Sequence, residues 1–193
     1  MEPILISACL LGAACRYDGG SKPVLSVEAL MGRYQLVPVC PEQLGGLPTP
    51  REPSERQGDL VVMKSGADVT AQYQRGAEQA LHLARVFGCK KAVLKERSPS
   101  CGSGEIYDGT FSGKLTPGNG VTAALFKKNG IEVFGESHVD AIARQYGIPH
   151  TAALPIDRKL AASADKGMIE LTNGDWLDEI ANAIDQLQPR ERK

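Results

Sequence analysis

The chain has 193 residues and a net charge of −1, from 22 basic and 23 acidic side chains. This length is typical of one domain with a hydrophobic core of its own. The balanced charge excludes a diffuse positive field that would hold nucleic acid or anionic lipid without sequence preference. A small-molecule partner is therefore favoured.

The apolar run over 4–11 is interrupted by Ser7 and has no basic leader, which argues against a signal peptide or a membrane span. We therefore expect a cytoplasmic protein. Its five cysteines are an odd number and do not suit a disulfide framework in that compartment. Metal binding or redox chemistry is the remaining role for these thiols.

Short apolar runs alternate with helical patterns from the start of the chain. Two segments rich in glycine, one of them also rich in proline, interrupt this alternation over 43–58 and 96–120, and we expect both to be functional loops. The predicted elements are, in chain order, a strand over 3–8, a helix over 27–33 capped by Ser26, strands over 36–39 and 60–63, a helix over 70–87 ended by Gly88, a strand over 92–95, a helix over 121–129, a strand over 131–134 and a helix over 137–145.

Strands joined through helices imply a mostly parallel sheet. We expect residues 1–148 to form one α/β domain, with helices on both faces of the sheet in a Rossmann-like three-layer architecture. Residues 149–193 then form a C-terminal extension whose amphipathic helix, beginning near Asp175, packs on the same domain or on a partner chain. The oligomeric state stays open.

Three cysteines, Cys9, Cys40 and Cys101, each follow a predicted strand. The carboxyl ends of parallel strands meet at one edge of a sheet, where open α/β folds bind ligands. The alternative is that each thiol is a small buried hydrophobe, the commonest fate of a free cysteine. Three such positions, all close to glycine or proline, favour convergence of the thiols.

The type of metal follows from the number of ligands. Zinc sites usually have four ligands, often with two cysteines in a close pair, and the chain has no CxxC. The three histidines, His82, His138 and His150, fall on predicted helices or in the extension and are expected at the surface. Three thiolates without a fourth ligand suit a four-iron cluster with one open iron.

The two other cysteines are expected to play no part in binding the metal. Cys15 could be a fourth ligand or a bystander near the cluster, and we prefer the bystander. Cys89 comes before its strand begins, at the opposite edge of the sheet, and is expected to be structural.

Three ordered sequence blocks resemble the thiouracil desulfidase family, long catalogued as a domain of unknown function, and the resemblance extends roughly over residues 3–148. The blocks are SACLLG with RYDG over 7–19, CPE with GGL and PR over 40–51, and Lys95 with SPSCG over 98–102. Their common order makes the resemblance more specific than any single block.

The resemblance implies a [4Fe–4S] cluster held by Cys9, Cys40 and Cys101, whose open iron takes the sulfur of a thiolated pyrimidine such as 2-thiouracil, as a base or a nucleotide. It also implies catalytic roles for Glu42 and Ser98. A general acid or base role would suit Glu42, and Ser98 would orient water or the ring. Alternatively, Glu42 caps a turn and Ser98 is an ordinary loop serine.

A different class of function also fits these residues, namely a cluster-holding sensor or binding protein without turnover. A fourth protein ligand such as Cys15 would favour it. Arg51 and Arg56 are expected to be solvated loop charges and not part of the site. The glycine-containing segment 116–120 before a helix could cradle an anion, although it lacks a full phosphate-loop pattern.

Overall fold

The computed structural model describes residues 1–24, 27, 30–134, 147–149, 181–182 and 184. The chain divides into two compact units, Met1–Glu136 and Ser137–Lys193. In the second unit, Ala181, Asn182 and Ile184 are helical, whereas the predicted helix over 137–145 and most of the one beginning near Asp175 lie outside the described residues. The domain boundary at 148 and the packing of the extension stay predictions.

The first unit contains both strands and helices. Its described strands are β1 (Glu2–Ser7), β2 (Tyr34–Val39), β3 (Ser54–Gln57), β4 (Leu60–Met63), β5 (Lys91–Val93), β6 (Ser103–Tyr107), β7 (Leu115–Asn119) and β8 (Glu132–Phe134). Its helices are a 3₁₀ helix (Ala8–Leu11), α1 (Pro41–Leu44), α2 (Thr70–Val86) and α3 (Val121–Lys128). Of the predicted helix over 27–33, Val27, Leu30 and Met31 are helical, and positions 28 and 29 and the cap Ser26 lie outside the described residues.

Four strands form the central sheet in the order β2-β1-β5-β8, and every neighbouring pair is parallel. The chain adds β2 on one side of β1 and β5 on the other. The direction of winding therefore reverses at β1, and ligands of such sheets bind beside the strand ends at this reversal.

Alternate side chains of these strands enter two different hydrophobic clusters. One cluster holds Leu5, Val37 and Ala92 together with residues of α2 and α3, such as Ala80 and Phe126. The other holds Ile6, Leu36 and Val93 together with Cys9, Leu10 and Val27. Both faces of the sheet are covered, as parallel sheets require, and the predicted α/β fold is confirmed.

Helix α2 shows the predicted amphipathic pattern. Gly88 follows its end with a φ of 70°, the left-handed conformation that glycine adopts readily. The predicted apolar face is buried in full, namely Tyr73, Ala77, Ala80, Leu81 and Ala84. No helix among the residues that the structure describes is long and apolar enough to cross a membrane.

The two segments predicted as loops each contain secondary structure. Strand β3 lies within 43–58 and pairs with β4 in an antiparallel hairpin, while β6 and β7 form a second hairpin within 96–120. The prediction of plain loops was wrong. Their sequences, SERQ in β3 and LTPGN in β7, lack the alternation of apolar residues that marks a strand, so pairing with a neighbour defines them.

Candidate active site

The three strand-end cysteines line one cavity of about 460 Å³. Cys9 lies in the 3₁₀ helix after β1, Cys40 is the residue before α1, and Cys101 lies in a turn beyond β5. Cys15 lines the same cavity, whereas Cys89 lies at a separate small pocket with Gly88 and Leu81. The thiols expected to converge therefore share a cavity.

The Cys101 turn is held by hydrogen bonds from several directions. Ser98 Oγ accepts the backbone N–H groups of Ser100, at 3.0 Å, and of Cys101, at 3.1 Å. Ser7 Oγ donates to the Cys101 sulfur at 3.5 Å and accepts the N–H of Lys95 at 2.9 Å. The end of β1 and the start of the β5 loop thus fix the position of this thiol.

The amino end of α3 binds the same turn. The N–H groups of Val121 and Thr122 donate to the carbonyls of Pro99 and Ser100, both at 2.9 Å. A Cβ at Gly120 would lie 2.3 Å from the Ser100 oxygen, so this approach requires glycine. The segment 116–120 was considered as a possible anion cradle, but the N–H groups of Val121 and Thr122 at the start of the helix are occupied by the cysteine turn.

Cys40 and Glu42 are placed by close contact between α1 and α2. A Cβ at Gly76 would lie 1.9 Å from the Pro41 oxygen, and one at Gly45 would lie 2.1 Å from the Gln72 oxygen. Backbone therefore meets backbone where the helices touch. This contact fixes the short helix that begins just after Cys40.

Both oxygens of the Glu42 carboxylate accept hydrogen bonds. Arg51 donates to Oε2 from Nε at 2.8 Å and from Nη2 at 2.5 Å. Ser98 Oγ donates to Oε1 at 3.2 Å. Tyr73 lies beside the pair, and burial raises its pKa, with the Glu42 charge adding to the effect. Glu42 and Ser98 are thus in direct contact, although the sequence places them far apart.

Arg51 is a residue of this site that the sequence analysis left out. Its side chain is only 3% exposed, and it also donates to the carbonyl oxygens of Cys15 and Pro48. The prediction that Arg51 is a solvated loop charge is wrong. It is also wrong for Arg56, which is half-buried and donates to the Asn119 carbonyl at 2.6 Å. The PR pair in the second sequence block was the available signal for Arg51.

Burial makes the cavity unfavourable for bare thiolates. It raises the pKa of the Cys9, Cys15 and Cys101 thiols, that of Cys15 to about 12. The nearby Cys40 raises all three further, while Lys95 acts in the opposite direction on Cys9. Bonding to positively charged iron would compensate for this cost, since metals bind cysteine as the thiolate.

The thiols of this cavity fit an iron–sulfur cluster better than a single metal ion. Within the described ranges, no three His, Cys, Asp or Glu side chains come together closely enough to hold a single metal ion. A single zinc needs all its sulfur ligands at about 2.3 Å from one point. The cysteines of a four-iron cluster each bond a different iron and stand farther apart, so thiols distributed around a cavity fit this cluster.

Fold and site together define a Rossmann-like α/β protein with a thiol-lined cavity suited to an iron–sulfur cluster. The chain belongs to the 2-thiouracil desulfurase family, whose model matches residues 4–138. The family resemblance inferred from the three sequence blocks is confirmed.

Two relatives support this assignment. The uncharacterized protein YbbK of Bacillus subtilis (strain 168) is 44% identical over an alignment of 149 residues, and the match covers 72% of this chain and 99% of that protein. The solved structure of the [4Fe–4S]-dependent thiouracil desulfidase TudS is 49% identical, with a TM-score of 0.68, and the match covers 77% of this chain and 99% of that one.

Proposed function

We propose that this protein is an iron–sulfur enzyme that replaces the sulfur of a thiolated pyrimidine, 2-thiouracil or a related base or nucleotide, with oxygen. Water supplies the oxygen, and the sulfur leaves as hydrosulfide, so no electrons are transferred. The observation that carries the proposal is the shared cavity of Cys9, Cys40, Cys101, Glu42 and Ser98. The reducing cytoplasm, where thiols persist, suits such a site.

Cys9, Cys40 and Cys101 would hold a [4Fe–4S] cluster, the cofactor named for the solved relative. When bound, the cluster supplies a soft, open iron that binds the thiocarbonyl sulfur and draws electron density from the ring carbon. Side chains of this protein would carry out the remaining proton transfer. The attacking water must lose a proton, and the sulfur must leave the ring carbon without attacking it again.

Glu42 is the group proposed to take the proton from water. Oε2 accepts two hydrogen bonds from Arg51, whereas Oε1 accepts one from Ser98, so Oε1 is the oxygen proposed to receive the proton. A positioned carboxylate that accepts a proton in the transition state contributes typically ~10² to 10⁴ in rate. The Arg51 pair keeps the carboxylate from rotating away.

The alternative is a cluster-binding sensor without turnover, and one observation favours it. Cys15 is buried in the same cavity, and the Cys40 thiol donates to the Cys15 carbonyl at 3.7 Å. If Cys15 served as the fourth ligand, no open iron would remain for a substrate. Substitution of Cys15 therefore separates the two functions.

We expect Cys9→Ser, Cys40→Ser and Cys101→Ser to lose the cluster, because each removes one of the three thiolates proposed to hold it. Cys15→Ser should keep the iron content of the parent, and buried Cys89→Ser is the matched control outside the cavity. Iron and acid-labile sulfide are measured on anaerobically prepared protein. Loss of the cluster in Cys15→Ser equal to that in Cys40→Ser would support the sensor instead.

Ser98→Ala is expected to lower the rate by roughly ten-fold and to speed the loss of iron to a chelator. Its hydroxyl bonds Glu42 and also the N–H groups of Ser100 and Cys101, so one substitution affects both catalysis and a ligand. Rates and iron release are compared with those of Ser21→Ala, a change at an exposed serine. Iron release at the parental rate would contradict the second half of this prediction.

The proposed reaction itself is tested by anaerobic incubation with 2-thiouracil, its nucleoside and its nucleotide. Loss of the thiocarbonyl absorbance and release of hydrosulfide in equal amounts are expected for at least one of them. Freshly prepared protein that holds one tightly bound zinc and no acid-labile sulfide would overturn the proposal.

A further inference from the structure

The tip of the β6–β7 hairpin is fastened to β3 by a buried carboxylate. Glu55, 8% exposed, accepts the N–H of Gly109 at 3.0 Å and that of Phe111 at 2.9 Å, both on Oε2. The Gln57 side-chain amide donates to the Gly109 carbonyl at 2.7 Å. A Cβ at Gly109 would lie 2.5 Å from the Arg56 oxygen, so the tip meets β3 backbone to backbone.

Phe111 is held in a conformation that a bulky residue rarely adopts. Its φ is 56°, in the left-handed region, which costs free energy for a side chain with a Cβ. Such a conformation persists only where the surroundings impose it, and here the Glu55 carboxylate binds the Phe111 N–H directly. The hydrogen bond to Glu55 therefore helps to hold this backbone conformation.

The ring lies at the cavity of the cysteines. Phe111 is half-buried and lines the same space as Cys9, Glu42 and Ser98. Three tyrosines, Tyr17, Tyr73 and Tyr107, also line this cavity, and Phe111 is the one phenylalanine among its described lining residues. Phe111 lies in the tip of the β6–β7 hairpin, whereas the thiols follow strands of the central sheet.

We propose that the face of Phe111 stacks on the planar pyrimidine ring of the substrate, and that Glu55 is the positioning residue that holds Phe111 for this contact. The inference rests on the proposed function, since it names how that substrate class is recognised. A thiocarbonyl directed at the cluster site leaves both faces of the pyrimidine ring open to contact. Aromatic stacking accepts any planar base, because every base presents a π-face.

Phe111→Ala is expected to weaken binding of 2-thiouracil by roughly ten-fold, seen as a higher KM with kcat and iron content close to those of the parent. Phe111→Tyr should restore the parental KM, whereas Phe111→Leu, which keeps apolar bulk without a π-face, should not. Phe87→Ala is the matched control, because Phe87 is 46% exposed at the end of α2 and lines no part of this cavity. A parental KM in Phe111→Ala would overturn the proposal.

The role of Glu55 has its own test. Glu55→Ala frees the hairpin tip and should raise KM as Phe111→Ala does, with little further increase in the double variant. Glu55→Gln retains one oxygen for the two N–H groups and should stay close to the parent. A fall in kcat at unchanged KM in Glu55→Ala would show that Glu55 acts on the chemistry and not through Phe111.

Binding of uracil by equilibrium dialysis separates this inference from the proposed reaction. Uracil has the ring and no sulfur, so its affinity reports on stacking without turnover. If the parent binds uracil but releases no sulfur from any thiopyrimidine, the proposed reaction fails. The uracil affinity of the Phe111 variants then still tests the stacking. If the parent turns over and Phe111→Ala binds uracil equally well, the stacking inference alone fails.

Discussion

Glu42→Gln is expected to keep its iron–sulfur cluster and to lose most of its turnover, by ~10² to 10⁴ in rate. The amide has the shape of the carboxylate, and its oxygen can still accept from Arg51, so the contacts around Cys40 persist. The amide cannot exchange a proton at neutral pH. The loss should therefore be chemical and not structural.

The measurement compares iron content, acid-labile sulfide and the rate of desulfuration in the variant and the parent. Glu78→Gln provides the control, since Glu78 lies on the exposed side of α2 and its substitution makes the same change of charge. A full cluster with a near-parental rate in Glu42→Gln would show that another group handles the proton, and the role assigned to Glu42 would be wrong.

Gly76→Ala is expected to destabilise the first unit by roughly 3 kcal/mol, which corresponds to a fall in Tm of roughly 6–12 °C. Helix propensity alone would favour alanine at an interior position of α2. The contact with α1 decides the sign, because the new methyl group would overlap the Pro41 carbonyl and neither backbone can move freely. Displacement of α1 also moves Glu42, so turnover should fall with stability.

Thermal unfolding and iron content are measured beside those of Gly32→Ala. A Cβ at Gly32 would have no atom within 4 Å, and its φ is not positive, so that variant should resemble the parent. A higher Tm in Gly76→Ala would mean that the helices separate at little cost, and the account of how α1 is held would be wrong.

The elements that could be predicted from the sequence depend on local patterns. The three strands that end before Cys9, Cys40 and Cys101 are short buried runs, and parallel pairing brings their carboxyl ends to one edge whatever the loops do. The pattern of α2 and the glycine after it likewise lie within one segment of chain. The ligand and catalytic roles of the cavity residues stay predictions.

What could not be predicted depends on contacts between distant segments. The local sequence of Arg51, a loop rich in glycine and proline, predicts a surface charge. Its side chain is buried because the guanidinium binds Glu42 and two carbonyl oxygens. In the sequence SERQ, Glu55 is one polar residue among four. Its proposed role depends on a hydrogen bond from Gly109, in a hairpin tip 54 residues away. Neither partner is visible in the local sequence.

The spacing of the three thiols along the chain governs the order in which the protein can mature. During synthesis Cys9 and Cys40 leave the ribosome well before Cys101, and the turn that carries Cys101 is complete only when α3 has donated its N–H groups. A preformed metal site rarely exists in an unfolded chain. With the proposed ligand set, the complete site therefore forms only after the chain through α3 has been synthesised and has folded.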